Sequence, residues 1–198
     1  MVINPIFVNF IATETFVLNN ELLKQFCIEE KNKATINYVS DNGGWHGEIE
    51  DDTNEEFVKL KQLITECINK VHIEMGYSSK SKQAITRMYI NYNKPTDYNF
   101  LHNHFSATLS GVYYVQAPKK CGNIYFKNPN TGWNYQNMLD EGYKENYNQF
   151  SSGIWSVEPE VGKLVVFPGY LDHGVEKNES NQDRISIVFN SHIICDSY

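Results

Sequence analysis

Residues 99–115 read NFLHNHFSATLSGVYYV. Two histidines, His102 and His104, stand one residue apart, and an apolar run with strand character follows within a few residues. In an extended segment the side chains of i and i+2 share a face, so both imidazoles can converge on one ion. Taken alone, the pair is equally two ordinary surface histidines in a loop.

Working outward, short runs rich in Val, Ile, Tyr and Phe fill the chain from residue 84 onward. Strands are expected near 84–92, 109–116, 122–127, 154–157, 163–167, 173–176 and 184–194. The turn segments APKKCG, NPNTG, EPEVG, FPG and NESNQD separate them. Two helices come before this block. One spans about 20–31, with Leu22, Leu23, Phe26 and Cys27 on one stripe. The other spans about 54–75 and opens on a capping box, Thr53-x-x-Glu56. Phe57, Leu60, Leu63 or Ile64, Cys67, Ile68 and Val71 recur along it at helical spacing, and Gly76 is the expected C-terminal cap. Helices followed by many short strands suggest a mainly β, α+β fold. The expected architecture is a double-sheet jelly roll buttressed by helices. One domain over 1–198 is expected, with helical support over about 1–80 and the β core over about 84–194. The polar, aromatic insert 128–153 is poor in strand signals, and a loop of that length is usually functional or disordered.

Composition narrows the function. A net charge of −7 and the absence of a basic stripe argue against nucleic acid as a partner. No C-x-x-C pair occurs among Cys27, Cys67, Cys121 and Cys195, so thiols in a reducing compartment are expected. The N-terminal MVINPIFVNFIATETFVL has no basic leader and alternates, so it reads as strand rather than signal peptide. No run is long enough to cross a membrane, and a cytoplasmic protein is expected.

A third histidine, His173, follows a buried run and a Pro-Gly turn in LVVFPGYLDHGVEKN. Arg184 opens the next strand eleven residues on, with Ser186 on the same face. This order has a chemical rationale. A ferrous site that activates O2 needs few protein ligands on one face, leaving positions open. A dicarboxylate co-substrate needs a fixed cation at its far end, which the Arg fork provides best. A serine on the same side adds a hydroxyl donor.

With these pieces in order, the chain resembles the 2-oxoglutarate- and iron(II)-dependent oxygenases. It is most similar to the prolyl-hydroxylase-like branch and to small bacterial and phage members. The matching segments are SDNGGWHGE (40–48), INYNKPTDYNFLHNH (90–104), LSGVYYV (109–115), GNIYFKNPNTGW (122–133) and GKLVVFPGYLDHGVEKN with DRISIVFN (162–190). The resemblance implies a double-stranded β-helix, the cupin-like jelly roll. It implies Fe(II), O2 and 2-oxoglutarate as cofactors, and hydroxylation of a C–H bond with release of succinate and CO2. His102 and His173 match the first and last iron ligands. Arg184, Ser186 and Tyr114 match the groups around the far carboxylate of 2-oxoglutarate, with Tyr113 facing away.

The family's usual H-x-D or H-x-E is here H-x-H, which makes His104 the middle ligand of a three-histidine site. Asp172 is expected to point away from the ion, and Asp97 is a weaker candidate. Tyr89, Asn91 and Asn99 precede the metal motif, and the strand carrying Tyr89 and Asn91 can point those two into the barrel toward co-substrate or substrate. Asn190 and Trp155 are further pocket candidates, whereas His46 in GGWHG either lines the substrate entrance or caps a loop, and the loop cap is the favoured reading. His72 and His192 are read as structural or exposed, and Trp133 as lid or core. The substrate is expected to be a small molecule or a peptide, with peptidyl proline or a free amino acid first, and a homodimer is possible for such folds. Two alternatives stay open: a three-histidine cupin-like dioxygenase that uses no 2-oxoglutarate, and a non-catalytic jelly-roll binding module.

Overall fold

The computed structural model describes residues 1–33, 38–40, 43–49, 52–139 and 141–195. Its strands are β1 (Ala12–Thr15), β2 (Tyr38–Ser40), β3 (Gly44–Glu48), β4 (Ser81–Asn93), β5 (Asn99–His102), β6 (Leu109–Gln116), β7 (Ile124–Lys127), β8 (Ile154–Val157), β9 (Lys163–Pro168), β10 (His173–Val175) and β11 (Arg184–Cys195). The helices are α1 (Asn20–Lys33), α2 (Glu55–Glu74) and α3 (Thr131–Leu139). Seven strands form one sheet in the order β1-β9-β6-β11-β4-β3-β2, and four form a second in the order β5-β10-β7-β8. Every pairing is antiparallel. This is the double-stranded β-helix expected from the strand spacing.

The large sheet is buried on both faces, and the period of two in its strands sorts the residues. Ile185, Ile187 and Phe189 of β11, with Leu109, Tyr113 and Val115 of β6, turn toward α1 and α2. There they meet Leu23, Phe26 and Cys27 of α1 and Phe57, Leu60, Ile64, Ile68 and Val71 of α2. Phe26 and Phe57 stack with centroids 5.1 Å apart where the two helices touch. Each such fully buried side chain contributes roughly 1.5–3 kcal/mol, so this layer holds the helices to the sheet. The alternate residues Val112, Tyr114, Val165, Phe167 and Val188 face the small sheet, where Ile124, Phe126 and Leu171 close a second core.

Several local expectations need correction. The N-cap of α2 is Asn54, not Thr53: its Oδ1 accepts from the Phe57 backbone N–H at 3.1 Å. Glu56 instead accepts from the Asn19 N–H and from Lys59. Gly76 does end the helix, at φ +83°. Of the N-terminal stretch read as strand, only Ala12–Thr15 pairs, against β9. The insert 128–153 holds α3 and a short 3-10 turn at Glu141–Tyr143. Its base is closed by the Asn128 N–H on Gly153 O at 2.9 Å, so it is the long loop of the β7–β8 hairpin. The side chain of Trp133 lies outside the described residues. No described helix is long and apolar enough to cross a membrane.

Replacing the α2 cap, Asn54→Ala, is expected to lower unfolding free energy by about 1 kcal/mol. Urea denaturation checks this, and an unchanged midpoint would contradict the assigned cap.

Candidate metal centre and anion pocket

β10 lies between β5 and β7, and its register sets His173 directly across from His102. The His102 Nδ1 lies 2.8 Å from Phe100 O and the His173 Nδ1 lies 2.8 Å from Leu171 O. A carbonyl can only accept, so each Nδ1 carries the hydrogen. Each Nε2 then keeps its lone pair and a fixed direction.

His104 sits just past β5, in a tight turn. Its N–H donates to Gly169 O at 2.7 Å and its carbonyl accepts from the Ala107 N–H at 2.8 Å. The rings of His102 and His173 are 4.4 Å apart by centroid, and His104 is 5.2 Å from each. One ligand atom from each of the three falls within 4.8 Å of the others, a cluster that one ion can bridge.

Burial, then the neighbouring His102, holds His173 down at about 3. Burial, followed by the charges of His102, Arg87 and His46, holds His104 down at about 4. Both imidazoles are therefore neutral near pH 7, the state a metal requires. Asp172 is turned outward, where it accepts from the Asn103 amide at 2.7 Å and braces the two histidine-bearing segments against each other. Asp97 caps its own turn by accepting from the Lys94 N–H at 2.7 Å.

A cavity of about 390 Å³ opens beside the cluster. Arg184, Ser186, Val188 and Asn190 of β11 enter it from one strand; Arg87, Tyr89, Asn91 and Asn93 enter from its neighbour β4. Tyr114 lines it too, while Tyr113 faces the helices and donates to Asn20 Oδ1 at 2.8 Å. Burial raises the Tyr114 phenol well above its usual range and pushes Tyr89 up to about 12, so both stay protonated.

Arg184 is 2% exposed. Its Nη1 donates to the carbonyls of Cys121 at 2.6 Å and Gly122 at 3.2 Å. No carboxylate of the described residues forms an ion pair with it, and the carboxylate charge that acts on it is that of the buried Asp97, which is engaged in its own turn. A guanidinium buried without an anion is costly, and this one borders a cavity with the Ser186 and Tyr114 hydroxyls in the same wall. The donor set thus fits a divalent metal, and the arginine fits the far carboxylate of a dicarboxylate.

For His46 the sequence reading favours a loop cap over a place at the substrate entrance. The residue lines the cavity, 2.8 Å by Nδ1 from Asn91 Oδ1, with its ring 4.1 Å from that of Tyr89. The signal was the strand pairing of His46 with Asn91, which a lone histidine in GGWHG does not announce. Trp155 does not line the cavity; it lies on β8, 45% exposed. His72 is buried in a polar network with Ser81 and Gln83. His192 meets the Thr86 hydroxyl at 2.9 Å.

The family model described as "Putative 2OG-Fe(II) oxygenase" matches residues 87–190, more than half of the chain, and the chain belongs to that family. It is accordingly a 2-oxoglutarate-dependent dioxygenase that uses iron(II). No curated protein matches it in sequence. Solved structures match it closely in fold. A prolyl-4-hydroxylase of Pseudomonas putida superposes with a TM-score of 0.64 at 14% identity, over 93% of this chain and 94% of that one. The collagen prolyl hydroxylase of Paramecium bursaria Chlorella virus-1, in complex with 2OG, gives 0.60 at 12%, over 91% and 94%. HygX of Streptomyces hygroscopicus, with nickel and 2-oxoglutarate bound, gives 0.60 at 10%, over 92% and 82%. At these identities the likeness is one of fold, shared with prolyl hydroxylases and other 2OG-Fe(II) oxygenases.

The turn carrying His104 depends on a close approach. A Cβ on Gly169 would stand 2.3 Å from Ala107 O and 2.7 Å from His104 O. Gly169→Ala is therefore expected to displace His104 and weaken Co(II) binding roughly ten- to a hundredfold, the range for residues that orient ligands. Isothermal titration checks this, and wild-type affinity in a folded variant would show that His104 placement is not set there.

Proposed function

We propose that His102, His104 and His173 together hold the iron. In this reading Arg184, aided by Ser186 and Tyr114, grips the far carboxylate of 2-oxoglutarate. The protein is then a hydroxylase of a small-molecule or peptide C–H bond. The observation that carries this reading is the buried Arg184, with no ion-paired carboxylate among the described residues, in the same cavity wall as the histidine cluster.

When bound, iron(II) with 2-oxoglutarate and O2 supplies the oxidative chemistry, forming succinate and CO2. The chain's own groups do the rest. The carbonyls of Phe100 and Leu171 fix two imidazole rings by their Nδ1 hydrogens. Arg184 supplies a planar fork whose position is set by two backbone carbonyls. Val112, Phe167, Val175 and Val188 line the walls between and keep water from the reacting end. Asn91, held by His46, stands on the β4 wall as a donor toward co-substrate or substrate. The insert with α3 is a source for a cover over the bound substrate; its Tyr135, Met138 and Leu139 are exposed. The fold likeness to prolyl hydroxylases makes peptidyl proline and free amino acids the first substrates to try.

Anaerobic titration of the Fe(II)-loaded protein with 2-oxoglutarate is expected to raise the weak visible charge-transfer band of the chelate. Arg184→Gln should raise the 2-oxoglutarate dissociation constant at least roughly tenfold, the loss of one charge-assisted fork. Ser186→Ala, a milder change, should raise it several-fold. A band at unchanged 2-oxoglutarate concentration in both variants would overturn this assignment.

A further inference from the structure

The cavity holds two arginines, and they stand at its two ends. Arg184 is paired with Asn93 of β4, whereas Arg87 of β4 is paired with Asn190 of β11. Residues 87 to 93 span about 20 Å of strand. The charge of Arg184 acts on Tyr114 and Cys121 at one end; that of Arg87 is felt at His104 and Tyr89. The proposed 2-oxoglutarate site takes up the Arg184 end, which leaves the Arg87 end to the other reactant.

We propose that Arg87 anchors a carboxylate of the primary substrate, so that the enzyme acts on a small organic acid rather than on a residue inside a peptide chain. The inference rests on the functional reading above.

Three observations carry it. First, no aspartate or glutamate among the described residues lines the cavity, in a chain with 24 acidic residues and a net charge of −7. Second, Arg87 is already paired with a carboxylate that is easily exchanged. Glu48 contacts its Nη2 at the rim, with the two side chains 62% and 59% exposed. Such pairs contribute little in water, so a substrate carboxylate can take the place of Glu48 at small cost.

Third, the histidine set leaves a charge to be balanced. Three neutral imidazoles leave both charges of a divalent ion. The two carboxylates of 2-oxoglutarate would offset them, while the buried Arg184 feels the charge of Asp97. A ligand set with one acid would add a further negative charge at the metal; here an anionic substrate would supply it. Asn91 lies on the same wall. With its Oδ1 engaged by His46, its Nδ2 has no partner among the described residues and can donate to the bound acid.

The test uses Co(II)-loaded protein saturated with 2-oxoglutarate, whose binding is measured first in the same samples. The probes are matched pairs: N-acetyl-L-proline with N-acetyl-L-prolinamide, and benzoate with benzamide. Paramagnetic shifts and broadening of probe proton signals report occupancy near the metal. Each carboxylate is expected to bind roughly tenfold or more tightly than its amide, the effect of one charge-assisted contact. Arg87→Gln should remove that preference. Glu48→Gln should increase carboxylate affinity, because it removes the competitor; a merely structural ion pair predicts that both variants act alike. Amides that bind as well as acids, carboxylates that show no broadening, or a preference that survives Arg87→Gln would overturn the proposal while leaving the 2-oxoglutarate site standing. Failure of the first step, 2-oxoglutarate binding to the wild type, would overturn both.

Discussion

The alternation of β11 is the constraint on which the rest depends. Its odd residues, Ile185, Ile187 and Phe189, seal the sheet against the helices; its even residues, Arg184, Ser186, Val188 and Asn190, build one wall of the cavity. A slip of one residue would drive Ile and Phe into the cavity and the guanidinium into the apolar layer. Pairing on both sides, with β4 over the whole strand and with β6 over residues 185–191, excludes that slip. The small bulge between Ile185 and Ser186 is confined to the β6 side. Packing and chemistry are thus fixed by one register.

The second sheet supplies what the first cannot. Its central strand β10 is only three residues long, yet it sets His173 against His102 on one side and Phe126 on the other. His104 is reached through the turn after β5, whose backbone is locked to Gly169. Aromatic rings shield the buried member: Phe167 lies 4.5 Å from His173 by centroid. The result is a cluster in which burial keeps His104 and His173 neutral and backbone carbonyls orient the rings of His102 and His173. It faces a cationic pocket in an acidic protein, a separation of charge that favours anionic ligands.

Much of this was legible in the residues. The periodic strands and the apolar helical stripes carried the jelly roll, because burial on each face depends directly on spacing. The order H-x-H, His, R-x-S carried the family, which the match over residues 87–190 bears out. The rest failed for physical reasons. The helix α3 was hidden because TGWNYQNML is short, has no acidic start and lies in a polar insert that opens on the turn segment NPNTG. The cap of α2 was misplaced by one residue because Thr53 and Asn54 are both good caps, and only geometry chooses between them. The strands β3 and β5 went unread, and without β3 the loop-cap reading of His46 was preferred, since its place in the cavity arises from pairing with β4, a contact between residues far apart in sequence. Likewise, nothing in the sequence sets Arg87 beside Glu48.

The central claim is that the three histidines hold a single ion beside the arginine-bound co-substrate. Anomalous diffraction from crystals grown with Co(II) and 2-oxoglutarate tests it most directly. The account predicts one anomalous peak, with the Nε2 atoms of His102, His104 and His173 each about 2.1 Å away, and the far carboxylate of 2-oxoglutarate on Arg184. An ion ligated without His104, or a 2-oxoglutarate molecule that does not reach Arg184, would contradict it.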